Sequence, residues 1–287
     1  MLAQIIIYGI IAGILYSLVA SGLALLFGVM KYLNIAHGSF MMIGGYICYS
    51  LFTYWHMDPF VSILLVIPTM LLLGFIVYRL LFSPLSKFPQ GLRMGNSMLI
   101  TFGLALVLDN VGILLWTSEI RTVTTSYTGA TFQLLGIRLP LISLAVLGLT
   151  LLAIVALHLF LNRTYFGKAI RATAQDWETA NLTGVNIDHT YLVSCCISLA
   201  LAGIAGTAVA MMYSITPSGG LEWLLTAMVV LVLAGLGNIK EVFIAGLLLG
   251  FVEQLSVFSI GGQYRAVVGL IVFVVILVLR PQGLFRR

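Results

Sequence analysis

The 24 residues from Gln4 to Phe27, QIIIYGIIAGILYSLVASGLALLF, contain no charged side chain. A helix needs about 20 apolar residues to cross a hydrocarbon core, so this stretch alone asks for a bilayer. It follows no basic segment, carries no A-x-A-like site and is too long for a signal-peptide core; it is read as a retained first membrane helix. Comparable runs recur from end to end, at 4–28, 38–54, 60–82, 97–117, 140–161, 189–213, 224–237, 242–258 and 265–280. Lipid-facing strands would alternate apolar and polar residues, and these runs do not. Every backbone polar group in lipid must be satisfied internally, which leaves helices. The expected fold class is all-α: one polytopic transmembrane bundle over 1–287 with eight or nine segments, some broken or re-entrant. The two short runs either side of Gly237-Asn238 are either separate crossings or one broken element.

Composition agrees: 61% of the chain is hydrophobic and 8% charged, against about 25% charged in soluble domains. Cys48, Cys195 and Cys196 sit in apolar runs without metal-ligand spacing and read as small buried residues, so no metal is expected. The net charge of +5 comes from scattered residues and forms no basic stripe, which argues against nucleic acid. Placing the polar stretch around Gly167 in the cytoplasm puts Lys31, Arg79, Lys87, Arg93, Arg163, Lys168, Arg171, Lys240, Arg280, Arg286 and Arg287 on that side. Only Arg121, Arg138 and Arg265 remain outside, the asymmetry that sets membrane topology. The carboxy-terminal RPQGLFRR is then cytoplasmic, and nine crossings put the amino terminus outside. The outer loop Ser118 to Leu139 is expected to form a small cap.

Gly167 to Asn186, GKAIRATAQDWETANLTGVN, interrupts this apolar pattern. Its alanines favour helix and Gly184 supplies an end signal. Ile170, Ala174 and Trp177 share one face while Lys168, Arg171, Gln175, Asp176 and Glu178 supply polar surface, so the expected element is an amphipathic helix lying across the membrane face. A solvated connector is the plain alternative. The pattern of Gly167, Ala169, Arg171, Ala172, Ala174, Asp176, Ala180, Leu182 and Gly184 resembles the loop by which ABC import permeases dock a separate ATPase, and more narrowly that of branched-chain amino acid permeases. The stretches GLALLFGVMKYLNIAHGSFMMIGGY, TFGLALVLDNVGILLW, LAGLGNIKEVFIAGLLLGFVE and GLIVFVVILVLRPQGLF are also similar to that family's pattern, in the right order and over essentially the whole chain.

The resemblance implies a permease domain whose cytoplasmic coupling loop spans about 163–188, in a bacterial-type plasma (inner) membrane. It implies two cytoplasmic ATPases that bind ATP and magnesium, a second related permease subunit and an extracytoplasmic solute-binding protein. The cargo it implies is a branched-chain amino acid or another small solute, such as urea or a short amide. The chain has no G-x-x-x-x-G-K-[ST] phosphate loop, the Gly167-Lys168 pair being followed by alanine, and no G-x-S-x-G elbow. No catalytic residue and no cofactor of its own are therefore expected, and the chain reads as a transport subunit rather than an enzyme.

Two glycine-interrupted breaks, Asn34-Ile35-Ala36-His37-Gly38-Ser39 and Gly235-Leu236-Gly237-Asn238, point to a translocation path, because broken helices leave backbone dipoles free to face a cavity. Asn34 is expected to cap the next helix or hold the turn. His37 either bonds a neighbouring helix or meets the solute. Asp109 with Asn110, and Glu253 with Gln254, place the only acids inside the spans. They serve either as interhelical bonds or as ion sites of a coupled carrier, and no intramembrane Lys or Arg is expected to pair with them. The small residues of AGIAGTAVA (Ala202 to Ala210) and GLLLG (Gly246 to Gly250) allow close helix approach, within this subunit or against another.

Overall fold

The computed structural model describes residues 2–86, 88–125, 127–134, 137–235, 241–280 and 283–284. The helices are α1 (Leu2–Met30), α2 (His37–Trp55), α3 (Pro59–Val77, prolonged through a π turn at Tyr78–Phe82 to Leu85) and α4 (Gln90–Trp116). A hairpin of β1 (Thr131–Leu134) and β2 (Ile137–Pro140) precedes α5 (Leu141–Arg163), α6 (Tyr165–Gln175) and α7 (Trp177–Leu182). The chain ends with α8 (Ile187–Met212), α9 (Gly220–Ala234), α10 (Val242–Ser259) and α11 (Arg265–Leu279). Among the described residues eight helices are long and apolar enough to cross a membrane; α2, with 19 residues, is the ninth segment. Each apolar run of the sequence corresponds to one of these nine helices, and α9 and α10 are separate. The largest boundary difference is in α4, which begins at Gln90, ahead of the apolar run at 97–117, with Arg93 and Asn96 in its first two turns.

Two helices form the interior. In their most apolar windows 94% of α1 and 83% of α8 are buried, against 17% for α4 and 6% for α11. Lipid is as apolar as leucine, so close packing rather than water exclusion selects which faces meet. Glycines supply that packing. A methyl group built on Gly13 of α1 would lie 2.6 Å from the Leu247 Cα of α10, and one on Gly44 of α2 would lie 2.5 Å from the Gly203 Cα of α8. One on Gly206 would collide with the Met41 carbonyl. The small-residue stretches at 202–210 and 246–250 thus find their partners inside this chain.

The break after α1 is held by α4. Lys31 turns the chain with φ 58°. The amides of Leu33 and Ile35, left without helical acceptors, donate to Ser97 Oγ (3.2 Å) and Thr101 Oγ1 (3.0 Å), and the Thr101 hydroxyl reaches the Leu33 carbonyl (3.3 Å). Side-chain hydroxyls replace the missing helical bonds, as buried irregular backbone in a membrane protein requires.

The segment 213–219 packs on α2, just beyond this break. From the end of α8 the chain doubles back along α2. Ile215 exchanges backbone bonds with Arg121 (2.8 and 3.0 Å), its carbonyl accepts from the Tyr46 hydroxyl (3.4 Å), and Gly220 opens α9 directly against Gly38. A side chain on either glycine would strike the other's backbone, so the amino-terminal ends of α2 and α9 meet at this contact. Gly235 ends α9 with φ 89°, while Gly237 and Asn238 lie outside the described residues. The cap expected between α4 and α5 is docked: Arg121 is bridged to Ile215, and Tyr127 donates to Asp58 Oδ2 (2.8 Å).

Candidate functional site

At one end of the bundle, α6 and α7 join α5 to α8. Thr164 caps α6 by accepting from the Gly167 amide (3.0 Å) while its hydroxyl donates to the Phe160 carbonyl (2.7 Å). Gly167 seats on the last turn of α5, where any side chain would overlap Phe160 and Leu161 backbone. Ala169, Ile170, Thr173 and Ala180 turn inward and are buried; Ala174 and Arg171 are half-buried, and Arg171 donates to Asn162 Oδ1 (2.8 Å). Ala172, Asp176, Leu182 and Gly184 face out. The amphipathic pattern read from the sequence is therefore real, but the single expected helix is two. Asp176 leaves helical geometry (φ −154°, ψ 105°) and accepts bonds from the Glu178 and Thr179 amides (3.0 and 3.3 Å) and from the Thr179 hydroxyl. Aspartate competes for backbone donors in this way at helix starts. The Thr179 hydroxyl and amide, with the Glu178 amide, hold its carboxyl below the usual carboxylate range.

Gly184 closes α7 in a left-handed turn (φ 88°), across which the Val185 amide reaches the Ala180 carbonyl (3.1 Å). Asn186 then caps α8 at the His189 amide (3.0 Å). Arg93 lies over the Trp177 ring at 6.0 Å, and Asp188 receives the Tyr78 hydroxyl (2.5 Å) and Arg79 (3.5 Å). Leu182 at 87% exposure and Tyr165 at 74% are large apolar groups left uncovered on this end, the kind of surface that marks a protein contact.

The break residues are buried deep in the bundle. His37 Nε2 donates to the Val19 carbonyl (3.1 Å) and its ring packs on Gly22, so the histidine ties α2 to α1. Asn34 is fully buried, and its contribution to the turn is its backbone carbonyl, which accepts from the His37 amide (3.3 Å). Its side chain does not cap α2, whose cap position is Ala36. Gly38 makes the contact with Gly220 described above. Asp109 is half-buried beside the Ser39 hydroxyl, whereas Asn110 is exposed and donates to the Leu106 carbonyl of its own helix (2.7 Å). Two adjacent positions on α4 thus point different ways.

Glu253 is where the sequence reading needs correction. No intramembrane cation is expected beside it from the sequence, because Arg265 stands on the outer side, at the very start of the last apolar run. Arg265 is the first residue of α11, and it reaches in: its Nε lies 2.9 Å from Glu253 Oε2. The same carboxylate oxygen accepts from the Tyr16 hydroxyl of α1 (2.5 Å). Arg265 Nη2 contacts Tyr16 and, at 3.5 Å, the Tyr213 hydroxyl, and its guanidinium lies over both phenol rings. Trp223 closes the group edge-on to Tyr16 and against Tyr213. The cluster borders a cavity of about 380 Å³ between α9, α10 and α11. Tyr213 directly follows α8, so the cavity lies at the end of the bundle away from α6 and α7. Only Glu253 of this group was singled out from sequence; Arg265, Tyr16 and Trp223 carried no local signal.

Residues 5–279 match the family model described as the branched-chain amino acid transport system permease component. The chain is 28% identical to the high-affinity branched-chain amino acid transport permease BraD of Pseudomonas aeruginosa, covering 99% of this chain and 95% of that one. It is 25% identical to LivH of Escherichia coli (97% and 94% covered) and 27% identical to a probable LivH of Methanocaldococcus jannaschii (93% and 87% covered). A match of this length, on a bundle of membrane-length helices, means that the chain belongs to the family of branched-chain amino acid transport permeases.

Proposed function

We propose that this chain is the membrane-spanning subunit of an ABC importer that carries branched-chain amino acids, or solutes of similar size, delivered by an extracytoplasmic binding protein. The observation that carries the reading is the α6–α7 pair: one face is locked onto α5, and the other leaves Ala172, Leu182 and Gly184 open to a partner. In this reading α6 and α7 dock a cytoplasmic ATPase, two ATPases bind the ATP and magnesium, and a second related permease completes the path. The protein lies in a plasma (inner) membrane with its carboxy terminus in the cytoplasm and catalyses no chemistry itself.

The geometry supports a route for coupling. ATPase closure displaces α6, which cannot slide independently because Gly167 is wedged on the last turn of α5. The Asn186 cap joins the loop to α8, and α8 runs in glycine contact with α2 to Tyr213 at the cavity. Movement at the docking end thus reaches both the Gly38–Gly220 contact and the far cavity through packed backbone. An ion-coupled carrier is not favoured: Glu253 is already engaged by Arg265 and Tyr16.

The test is purification of the tagged chain from its native membrane in mild detergent, with the co-purifying subunits identified by mass spectrometry. Two ATPases bearing phosphate loops and a second permease are expected. Recovery of the chain alone, from a preparation in which another ABC complex stays intact, overturns the reading.

A further inference from the structure

Arg265 keeps part of its hydrogen-bonding capacity in reserve. Its Nε is taken by Glu253 and its Nη2 by the two tyrosines, while Nη1 has no hydrogen-bond partner among the described residues. The residue borders the cavity with its side chain 28% exposed. Glu222, in the first turn of α9, lines the same cavity, is exposed, and forms no ion pair among the described residues. Trp223, Leu225 and Val229 add apolar groups to the cavity wall. About 380 Å³ falls at the small end of the range for small-molecule sites.

The charges select the occupant. Arg265 and Glu253 neutralise each other, and Glu222 adds one uncompensated negative charge. A simple anion would meet two carboxylates, and a simple cation would meet the guanidinium. A molecule carrying an ammonium and a carboxylate on one carbon, with an apolar tail, satisfies every group: a guanidinium N–H binds a carboxylate through a charge-assisted bond, Glu222 accepts from an ammonium, and the tail lies on the apolar wall.

We propose that this cavity is a transit site for a zwitterionic α-amino acid, with Arg265 Nη1 as carboxylate donor and Glu222 as ammonium acceptor. The proposal deepens the importer reading and rests on it for the direction of transport. It places the site at the end of the bundle where a delivered solute enters.

The test uses the full complex in nanodiscs, carrying Thr226→Cys in the cavity wall and Cys196→Ser to remove the half-buried native thiol. The rate of modification of the introduced cysteine by a thiol reagent is the readout. For a site of millimolar affinity, leucine at about 10 mM is expected to slow modification about tenfold. 4-Methylpentanoate, which lacks the ammonium, and 3-methylbutylamine, which lacks the carboxylate, are expected to protect little. Arg265→Lys, which keeps the charge but loses the guanidinium fork, and the surface variant Glu222→Gln are each expected to abolish protection. Glu222→Gln tests the assignment even where Arg265→Lys fails to fold. Leucine import without protection overturns the site and leaves the importer reading standing; protection without import supports the site and overturns the importer reading. Equal protection by all three compounds overturns the site, because a plain apolar crevice would then suffice.

Discussion

Removing Arg265 alone is expected to be more damaging than removing the whole ion pair. At 2.9 Å and an effective dielectric of about 20, two unit charges attract by about 6 kcal/mol before desolvation is subtracted. Glu253 is 8% exposed at its side chain, so Arg265→Met leaves a buried carboxylate with only the Tyr16 hydroxyl beside it. Breaking one side of such a pair costs about 3 to 5 kcal/mol, whereas replacing both partners with uncharged groups is often close to neutral. On the scale of 2 to 4 °C per kcal/mol for large domains, the single variant should lose roughly 10 °C in thermal midpoint. Glu253→Gln should lose less, because Arg265 retains solvent contact and both tyrosines. The assay is fluorescence-detected size-exclusion chromatography after heating in detergent, run on Arg265→Met, Glu253→Gln and the double variant. The double variant is expected to recover at least half of the loss seen in Arg265→Met. If its loss equals the sum of the two singles, the charges are not coupled and the account of this cluster fails.

Gly206→Ala should destabilise the bundle by about 1 to 3 kcal/mol, the usual range for overpacking, since even a methyl group there meets the Met41 carbonyl; a thermal midpoint equal to wild type would mean that α2 and α8 are not in backbone contact. Gly184→Arg requires a left-handed conformation at a site with nothing within 4 Å of a new side chain, so it should cost only about 1 to 2 kcal/mol and leave the chain assembled while uptake falls and ATP hydrolysis persists. Unchanged uptake in that variant would remove α7 from the coupling surface. Because the Asp176 carboxyl is held below its ordinary range, the stability it gives α7 is complete above the unfolded value of about 3.9 and disappears as pH falls through the lower folded value. The cap is therefore intact at neutral pH, and Asp176→Ala should speed hydrogen exchange at the Glu178 and Thr179 amides there, whereas exchange as slow as wild type would show that the cap does not hold the helix.

The candidate docking surface was legible because its signal is local. Polar residues, alanines and a terminal glycine within twenty positions define an amphipathic helix without reference to the rest of the chain. What escaped the reading was the break at Asp176, where one carboxylate outcompetes helix continuation by binding the next two amides. The path residues were harder. His37 was readable as an interhelical bond, but its acceptor, the Val19 carbonyl, is a backbone group that no sequence pattern announces. Asn110 and Asp109 look alike in sequence and differ only in which side of α4 they occupy.

By itself the sequence determined that the chain is a membrane bundle of eight or nine helical segments, since hydropathy over about 20 residues decides insertion segment by segment. It also marked 202–210 and 246–250 as stretches where helices can approach closely, because small residues let two backbones near each other, although a methyl group on helix glycines such as Gly103 and Gly148 would touch nothing. Tertiary structure alone decided which surfaces meet. It turned 213–219 back along α2, set Gly38 against Gly220, and joined Tyr16, Glu253 and Arg265 across as many as 249 positions. The physical reason is that lipid and protein interior are equally apolar. The outer face of α11 and the inner face of α1 are written in the same residues, and only packing and a few long-range polar bonds distinguish them.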